Sequence, residues 1–404
     1  MKSVLLCAAS IAVAVAAGAG AQSRPAGGTA TYWMSAETMS GFAAGAAQAN
    51  PQSVVGALLG GRGGGANPSF VRNLHLQLGS PRRANGAPSA EHLPPAGLGA
   101  GPSLPLTTPQ AAPQTTPPNY MPGMTDGNMR GRLLIYWGCG EQARSGQPVE
   151  IDFARMARGE VPAAMAALNL QPMMPPSPAT SATYGEWPNE RGRTTVPATG
   201  SLVGDHVVRG NYSPEIRFAL AQGQDFLAPV NVTSNSPAAS GSVPVTWQAV
   251  PNARAYFVMA TGAREDGTIV MWTSSEVQAA QMAFDYLSQG DIDRLLQQRV
   301  LLNPQTTQCT VPAEVAGSVQ AASLMVNAFG PEANFSHPAR PANAPRNWAP
   351  EWAVKLRTRS TYMGMLGMDM AAMMGGNRNA RSGEEPSRPE RRRRRNPLER
   401  IFGQ

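Results

Sequence analysis

Apolar and polar positions alternate with a period of two over many short runs of this chain, the spacing of strands that bury one face. Thr29–Thr38 (TATYWMSAET), Phe70–Leu78 (FVRNLHLQL) and Val149–Phe153 (VEIDF) follow this pattern, and Arg132–Trp137 (RLLIYW) is a short apolar run of strand character. From Ser201 to Val232 three more runs, LVGDHVV, EIRFALA and FLAPVNV, are parted by Gly/Asn and Gly/Gln turns. Trp352–Arg359 (WAVKLRTR) predicts a last strand, with Trp348 and Trp352 helping to bury an edge. Helical spacing is confined to Asp291–Val300, with Ser288 or Gly290-Asp291 near its start, and to a turn or two over Glu160–Leu168 before Pro172. Many short strands at irregular spacing predict a mainly β chain with sandwich-like packing.

The stretches between these runs are rich in turn formers. Ala43–Asn67, with GGRGGGANP, cannot bury a core and predicts a long linker. Ser80–Asn119 is Pro-rich and predicts an extended loop tracking the surface. Met173–Thr199, which holds Tyr184 and Trp187, predicts irregular structure. Ser234–Ser242 (SNSPAASGS) is the best candidate domain boundary.

After that boundary come Val243-Pro244-Val245-Thr246-Trp247, then Val250-Pro251-Asn252-Ala253, then Ala255–Ala260 (AYFVMA). This succession resembles the B–C hairpin of a fibronectin type III-like sandwich: a Trp ends one strand, a Pro/Asn turn follows, and a Tyr anchors the next. Leu324–Phe329, Gly330–Asn334 and Phe335 resemble its closing F–G hairpin. The resemblance implies a β-sandwich that presents strands and loops for binding; the helix at Asp291–Val300 departs from it.

The expected fold is therefore mainly β: two antiparallel β-sandwich-like domains with long Gly/Pro-rich loops and a disordered C-terminal tail. Its divisions are a signal peptide (1–21), a strand and Gly-rich linker (22–69), a first β domain (70–235) with a Pro-rich loop (80–119), a fibronectin-III-like domain (236–340), a terminal strand (341–362), and a Met-rich segment with an Arg-rich tail (363–404).

The start of the chain changes the picture most. Lys2, the apolar run Val4–Ala17 and the small-x-small Ala19-Gly20-Ala21 form a signal peptide cleaved before Gln22. The run is too short to span a bilayer, so the mature chain is expected to be exported, periplasmic or secreted, without a transmembrane segment. Lysine occurs only at Lys2 and Lys355, as codon bias in a GC-rich bacterial genome would produce. Net charge is +7, but the tail from Asn377 holds nine Arg against four Glu, leaving a nearly neutral body. That argues against a nucleic-acid partner. Arg391, Arg392, Arg393, Arg394 and Arg395 are adjacent cations suited to an anionic envelope surface or to another envelope protein, each worth about 1 kcal/mol near such a surface.

Candidate chemistry is sparse. Cys139 and Cys309 remain after cleavage; in an oxidising compartment they either pair or stay as two buried thiols. Gly138-Cys139-Gly140-Glu141-Gln142 resembles the internal thioester motif of the macroglobulin and complement family, but it follows a strand and enters a turn rather than opening a helix. Met363, Met365, Met368 and Met370 are closely spaced soft thioethers of the kind that select Cu(I), so copper is the alternative to a chain without cofactor. His75, His92, His206 and His337 are scattered, predicting surface or half-buried positions, and Asp205 and His206 are neighbours that should point to opposite faces of a strand. No catalytic residue is assigned. The expectation is a non-enzymatic, exported, envelope-associated or binding protein.

Overall fold

The computed structural model describes residues 28–42, 44, 70–109, 131–158, 174–189, 195–278 and 285–368. Residues 1–21, expected to be a signal peptide, Glu160–Leu168, expected to form a helical turn, Met370 and Arg391 to Arg395 lie outside the described residues. The fold is mainly β, built on a nine-stranded sheet. From one edge to the other its strands are β6 (Val149–Asp152), β5 (Arg132–Trp137), β13 (Ile269–Thr273), β12 (Ala255–Ala263), β15 (Ala322–His337), β16 (Trp352–Met365), β1 (Ala30–Gly41), β2 (Phe70–Ser80) and β7 (Thr183–Trp187).

The sheet is mixed rather than purely antiparallel. β1 runs parallel to β16, from Ala30 opposite Trp352 to Gly41 opposite Met363, and β13 runs parallel to β5. The segment written as a terminal strand thus lies in the middle of the sheet and continues through Met365. Segments assigned to different units share this one sheet: β2, β5 and β7 precede the Ser234–Ser242 stretch, while β12 and β13 follow it. That stretch forms the connection of a hairpin between β10 (Val232–Ser234) and β11 (Val243–Trp247).

One face of the large sheet is covered by two smaller sheets. At the β1–β2 end lies a four-stranded sheet ordered β4 (Leu104–Leu106), β3 (Ala90–Leu93), β8 (Gly204–Gly210), β9 (Ile216–Leu220). Tyr32, Met34, Leu76, Leu78, Trp187, Val354 and Leu356 meet Leu104, Leu106, Val208 and Ile216 there. At the other end lies a three-stranded sheet, β10–β11–β14 (Gln308–Val311), where Val245, Trp247 and Val311 pack on Tyr256, Val258, Trp272, Leu324 and Val326. The Pro-rich stretch is therefore not a surface loop over its described part. Alternating Ala90–Leu93 and Leu104–Leu106 enter a core with Leu98, and Pro105 sits on the outer strand β4, where a residue without N–H is tolerated. The stretch expected to be irregular around Tyr184 and Trp187 is the edge strand β7.

The two hairpins read from the sequence are arranged differently. β11 and β12 belong to different sheets that face each other, with the Trp247 and Tyr256 rings 5.5 Å apart. Leu324–Phe335 lies within a single strand, β15, interrupted by a bulge between Phe329 and Glu332. One extra residue shifts the alternation: Leu324, Val326 and Ala328 face the small sheets before it, and Ala333 and Phe335 do so after it.

On the opposite face α1 (Phe153–Ala157) lies by β5, β6 and β13, and α2 (Gln289–Gln297) covers β12 and part of β15 through Ile292 and Leu295. Ser288 caps α2, its hydroxyl accepting from the Asp291 N–H. A third helix, α3 (Ala313–Ala316), follows β14. Among the described residues no helix is long and apolar enough to cross a membrane.

Candidate functional site

The rest of that opposite face, over β16, β1, β2 and β7, is polar. Alternation places Lys355, Arg357, Arg359 and Thr361 of β16 beside Trp33, Ser35, Glu37 and Met39 of β1, then Asn73, His75 and Gln77 of β2. Charge is matched at two of the three cations. Lys355 pairs with Glu332 at 2.8 Å, and Arg359 pairs with Glu37 at 2.8 Å and Asp285 at 3.1 Å. Thr361 donates to the same Glu37 oxygen at 2.9 Å, fixing the carboxylate in place.

Arg357 differs. Its residue is only 6% exposed, its Nε donates to Ser35 Oγ at 2.7 Å, and its Nη1 is buried without a hydrogen-bond partner. The guanidinium stacks with the Tyr286 ring at 4.2 Å and the Trp33 ring at 5.1 Å. Glu332 stands opposite it in register, yet its carboxylate is engaged by Lys355, and no carboxylate among the described residues forms an ion pair with Arg357. Burial lowers the pKa of this guanidinium, while Tyr286 and Asp285 act to raise it. A buried cation held by aromatic faces and one hydroxyl keeps unused donor capacity.

Beside it β7 pairs with Leu76–Ser80 of β2, so Phe70–His75 runs past the end of that strand, where Arg72 makes an isolated bridge to Val196. A cavity of about 510 Å³ opens there, lined by Ser35, Glu37, Arg72, His75, Trp187 and Tyr286 among others. Arg72 donates from Nη1 to the Gly200 carbonyl, lies 5.2 Å from the Phe226 ring, and keeps a buried Nε without a partner. Further along the β2–β7 pair Tyr184 donates to Glu186 at 2.6 Å and Gln77 donates to Tyr184 at 3.1 Å. His75 Nε2, 3.6 Å from the Glu186 carboxylate, helps hold that carboxyl below its ordinary range. The cavity thus holds Arg72 with an unspent donor, the Ser35 hydroxyl and the Glu37 carboxylate, and Arg357 lies beside it against Ser35 and Tyr286.

Apart from His75, the residues singled out from the sequence fall elsewhere. Cys139 and Cys309 are joined in a disulfide with Cα atoms 5.2 Å apart, tying the exit of β5 to β14. That sulfur is therefore not available for a thioester with Gln142. Met363 and Met365 belong to β16 rather than to a tail, and Met368 follows it, 49% exposed. Among the described residues no group of three or more His, Cys, Asp or Glu is placed to hold a metal.

Two histidines also depart from expectation. His92 and His206 are 0% and 1% exposed, and sit in the core between the large and four-stranded sheets. His337 is exposed and His75 half-buried, while Asp205 faces solvent from the side of β8 opposite His206. His206 Nε2 lies 2.7 Å from the Leu202 carbonyl, His206 Nδ1 lies 2.9 Å from His92 Nε2, and Tyr32 Oη meets His92 Nδ1. The carbonyl can only accept, so His206 carries its hydrogen on Nε2 and accepts at Nδ1. His92 then donates from Nε2 and accepts from the Tyr32 hydroxyl. Every position in this chain is filled with both rings neutral, and burial lowers both histidine pKa values, His92 far below its ordinary value. The signal was present in the alternation, since His206 shares strand parity with Val208, but nothing local connected it to His92.

The fold is thus of the class of mixed β-sheets backed by two smaller sheets, with one polar, cavity-bearing face. No protein family model, curated protein or solved structure matches the chain.

Proposed function

We propose that this chain is an exported, non-enzymatic binding protein that takes an acidic envelope component at the polar face around Arg357. The observation that carries the reading is Arg357, a buried guanidinium with no carboxylate in an ion pair among the described residues, beside a cavity lined by Arg72, Ser35 and His75. Desolvating a cation without a counter-ion is costly unless something compensates it, and a ligand carboxylate would do so through the fork of donors that arginine presents. Export is supported by the leader-like first residues together with the Cys139–Cys309 bond, which suits an oxidising compartment. The Arg391–Arg395 run would hold the protein near the same anionic material.

The test is calorimetric titration with a short oligogalacturonate, against a neutral maltooligosaccharide of equal length. The acidic chain should bind, the neutral one should not, and Arg357→Gln should weaken binding at least tenfold. Equal binding by Arg357→Gln and wild type would reject the site. Removal of residues 377–404 should leave this titration unchanged while reducing pelleting with envelope fragments at low salt.

A further inference from the structure

Methionines gather on the α2 face of the large sheet where helix cover ends. Strand register sets Met259 of β12, Met325 of β15 and Met363 of β16 side by side in one row. In the next row Met271 of β13 and Met365 of β16 flank Thr261 and Ser323. Directly paired residues on one sheet face have Cβ atoms about 5 Å apart, and a methionine side chain has three rotatable bonds. Three thioether sulfurs on adjacent strands can therefore converge on a single ion. Met259, 7% exposed, packs with Phe257, Ile292 and Leu295 at the inner end; Met325 and Met363 are half-buried, so the row leads outward to solvent.

A second observation lies beside the row. Thr273, opposite Met259 in register, is 1% exposed and its hydroxyl has no hydrogen-bond partner; the hydroxyl of Thr261, also on this face, is likewise buried and unpartnered. Buried polar atoms left without partners call for an explanation such as a missing water or ion. Among the described residues the positions paired in this row are Thr273, Met259, Met325 and Met363, with no His or carboxylate, and thioethers so placed suit a soft monovalent ion and offer little to zinc, calcium or magnesium.

We propose that Met259, Met325 and Met363 form a three-thioether site for Cu(I), distinct from the acidic-ligand cavity and from the Met368–Met374 stretch. The experiment uses the full mature chain, with Ag(I) as a redox-inert probe and Cu(I) under reducing conditions in competition with bicinchoninate. One equivalent should bind, and the ε-methyl NMR signals of Met259, Met325 and Met363 should shift together. Met325→Leu, a volume-conserving change that cores tolerate, should lower affinity at least tenfold with an unchanged circular dichroism spectrum. Met271→Leu should not. The proposal is overturned if Met325→Leu binds as wild type does, if binding is lost instead in a Met370→Leu/Met373→Leu/Met374→Leu variant, or if no ion binds.

Discussion

Acidification should destabilise this protein well before its carboxylates titrate, because His92 and His206 are buried in a hydrogen-bond chain that has no place for another proton. Both folded-state pKa values lie below the ordinary histidine value, through burial above all. In the unfolded chain each imidazole titrates near 6.5. Above that pH both states are neutral and the histidines contribute no pH dependence. As pH falls below it, the unfolded state takes up protons that the folded state refuses, so stability drops. For one fully refused proton the loss between pH 7 and pH 5 is about 2 kcal/mol, from 1.4 kcal/mol per pH unit. His92 should supply that in full. His206 is pulled back upward by the Leu202 carbonyl, Asp205 and Asp225 and should supply less, so the pair contributes about 2–4 kcal/mol.

Urea unfolding at pH 7 and pH 5 measures this directly, with a Tyr32→Phe/His92→Leu/His206→Leu variant as the reference. The variant removes the relay's side chains together, so no ring is left facing a lost partner. Wild type should lose about 2–4 kcal/mol more than the variant over the interval. Equal losses would refute the account, and so would greater wild-type stability at pH 5.

Two further outcomes follow from local structure. Cys139→Ala/Cys309→Ala removes a link across 170 positions and should cost about 2–5 kcal/mol in equilibrium unfolding, whereas wild type under reducing conditions should approach the variant. Ser288→Ala deletes the hydroxyl that accepts from the Asp291 N–H at the start of α2 and should cost about 1 kcal/mol, measured by urea unfolding.

Strand identity was legible wherever one face is buried and the other wet. β1, β2, β6, β8, β9 and β16 show it, because alternation is a local property of the pleat, whereas β5, buried on both faces, was legible as a short apolar run. The helix at Ser288 was legible for the same reason, a cap followed by apolar spacing. What eluded local reading depends on partners far along the chain. Ala90–Leu93 and Leu104–Leu106 are too short and too close to prolines to announce a sheet, and acquire one only by pairing with each other and, through Ala90–Leu93, with β8. The bulge at Gly330–Glu332 breaks the phase of β15, so one strand reads as two joined by a turn. Arg357 looked like any charged residue of an alternating strand. Its unusual state arises because β1, more than 300 positions away, places Ser35 and Trp33 against it.

That state also gives a way to separate a binding role from a structural one without any ligand. A buried cation kept for stability should be costly to remove, as breaking a buried ion pair is, at about 3–5 kcal/mol. Arg357, however, has no ion-paired carboxylate among the described residues to strand; its losses would be one hydrogen bond to Ser35 and stacking on Trp33 and Tyr286, each about 1 kcal/mol, and the longer-range attraction of Asp285. Against these stands relief from desolvating a charge, worth several kcal/mol in general. Arg357→Met, which keeps the length and apolar stem, should therefore unfold with stability between unchanged and about 2 kcal/mol above wild type, while losing the oligogalacturonate signal. Proteins keep such destabilising groups where function requires them. A loss of about 3 kcal/mol or more in Arg357→Met would mean that the guanidinium serves the packing of the sheet face, and the acidic-ligand reading would lose its support.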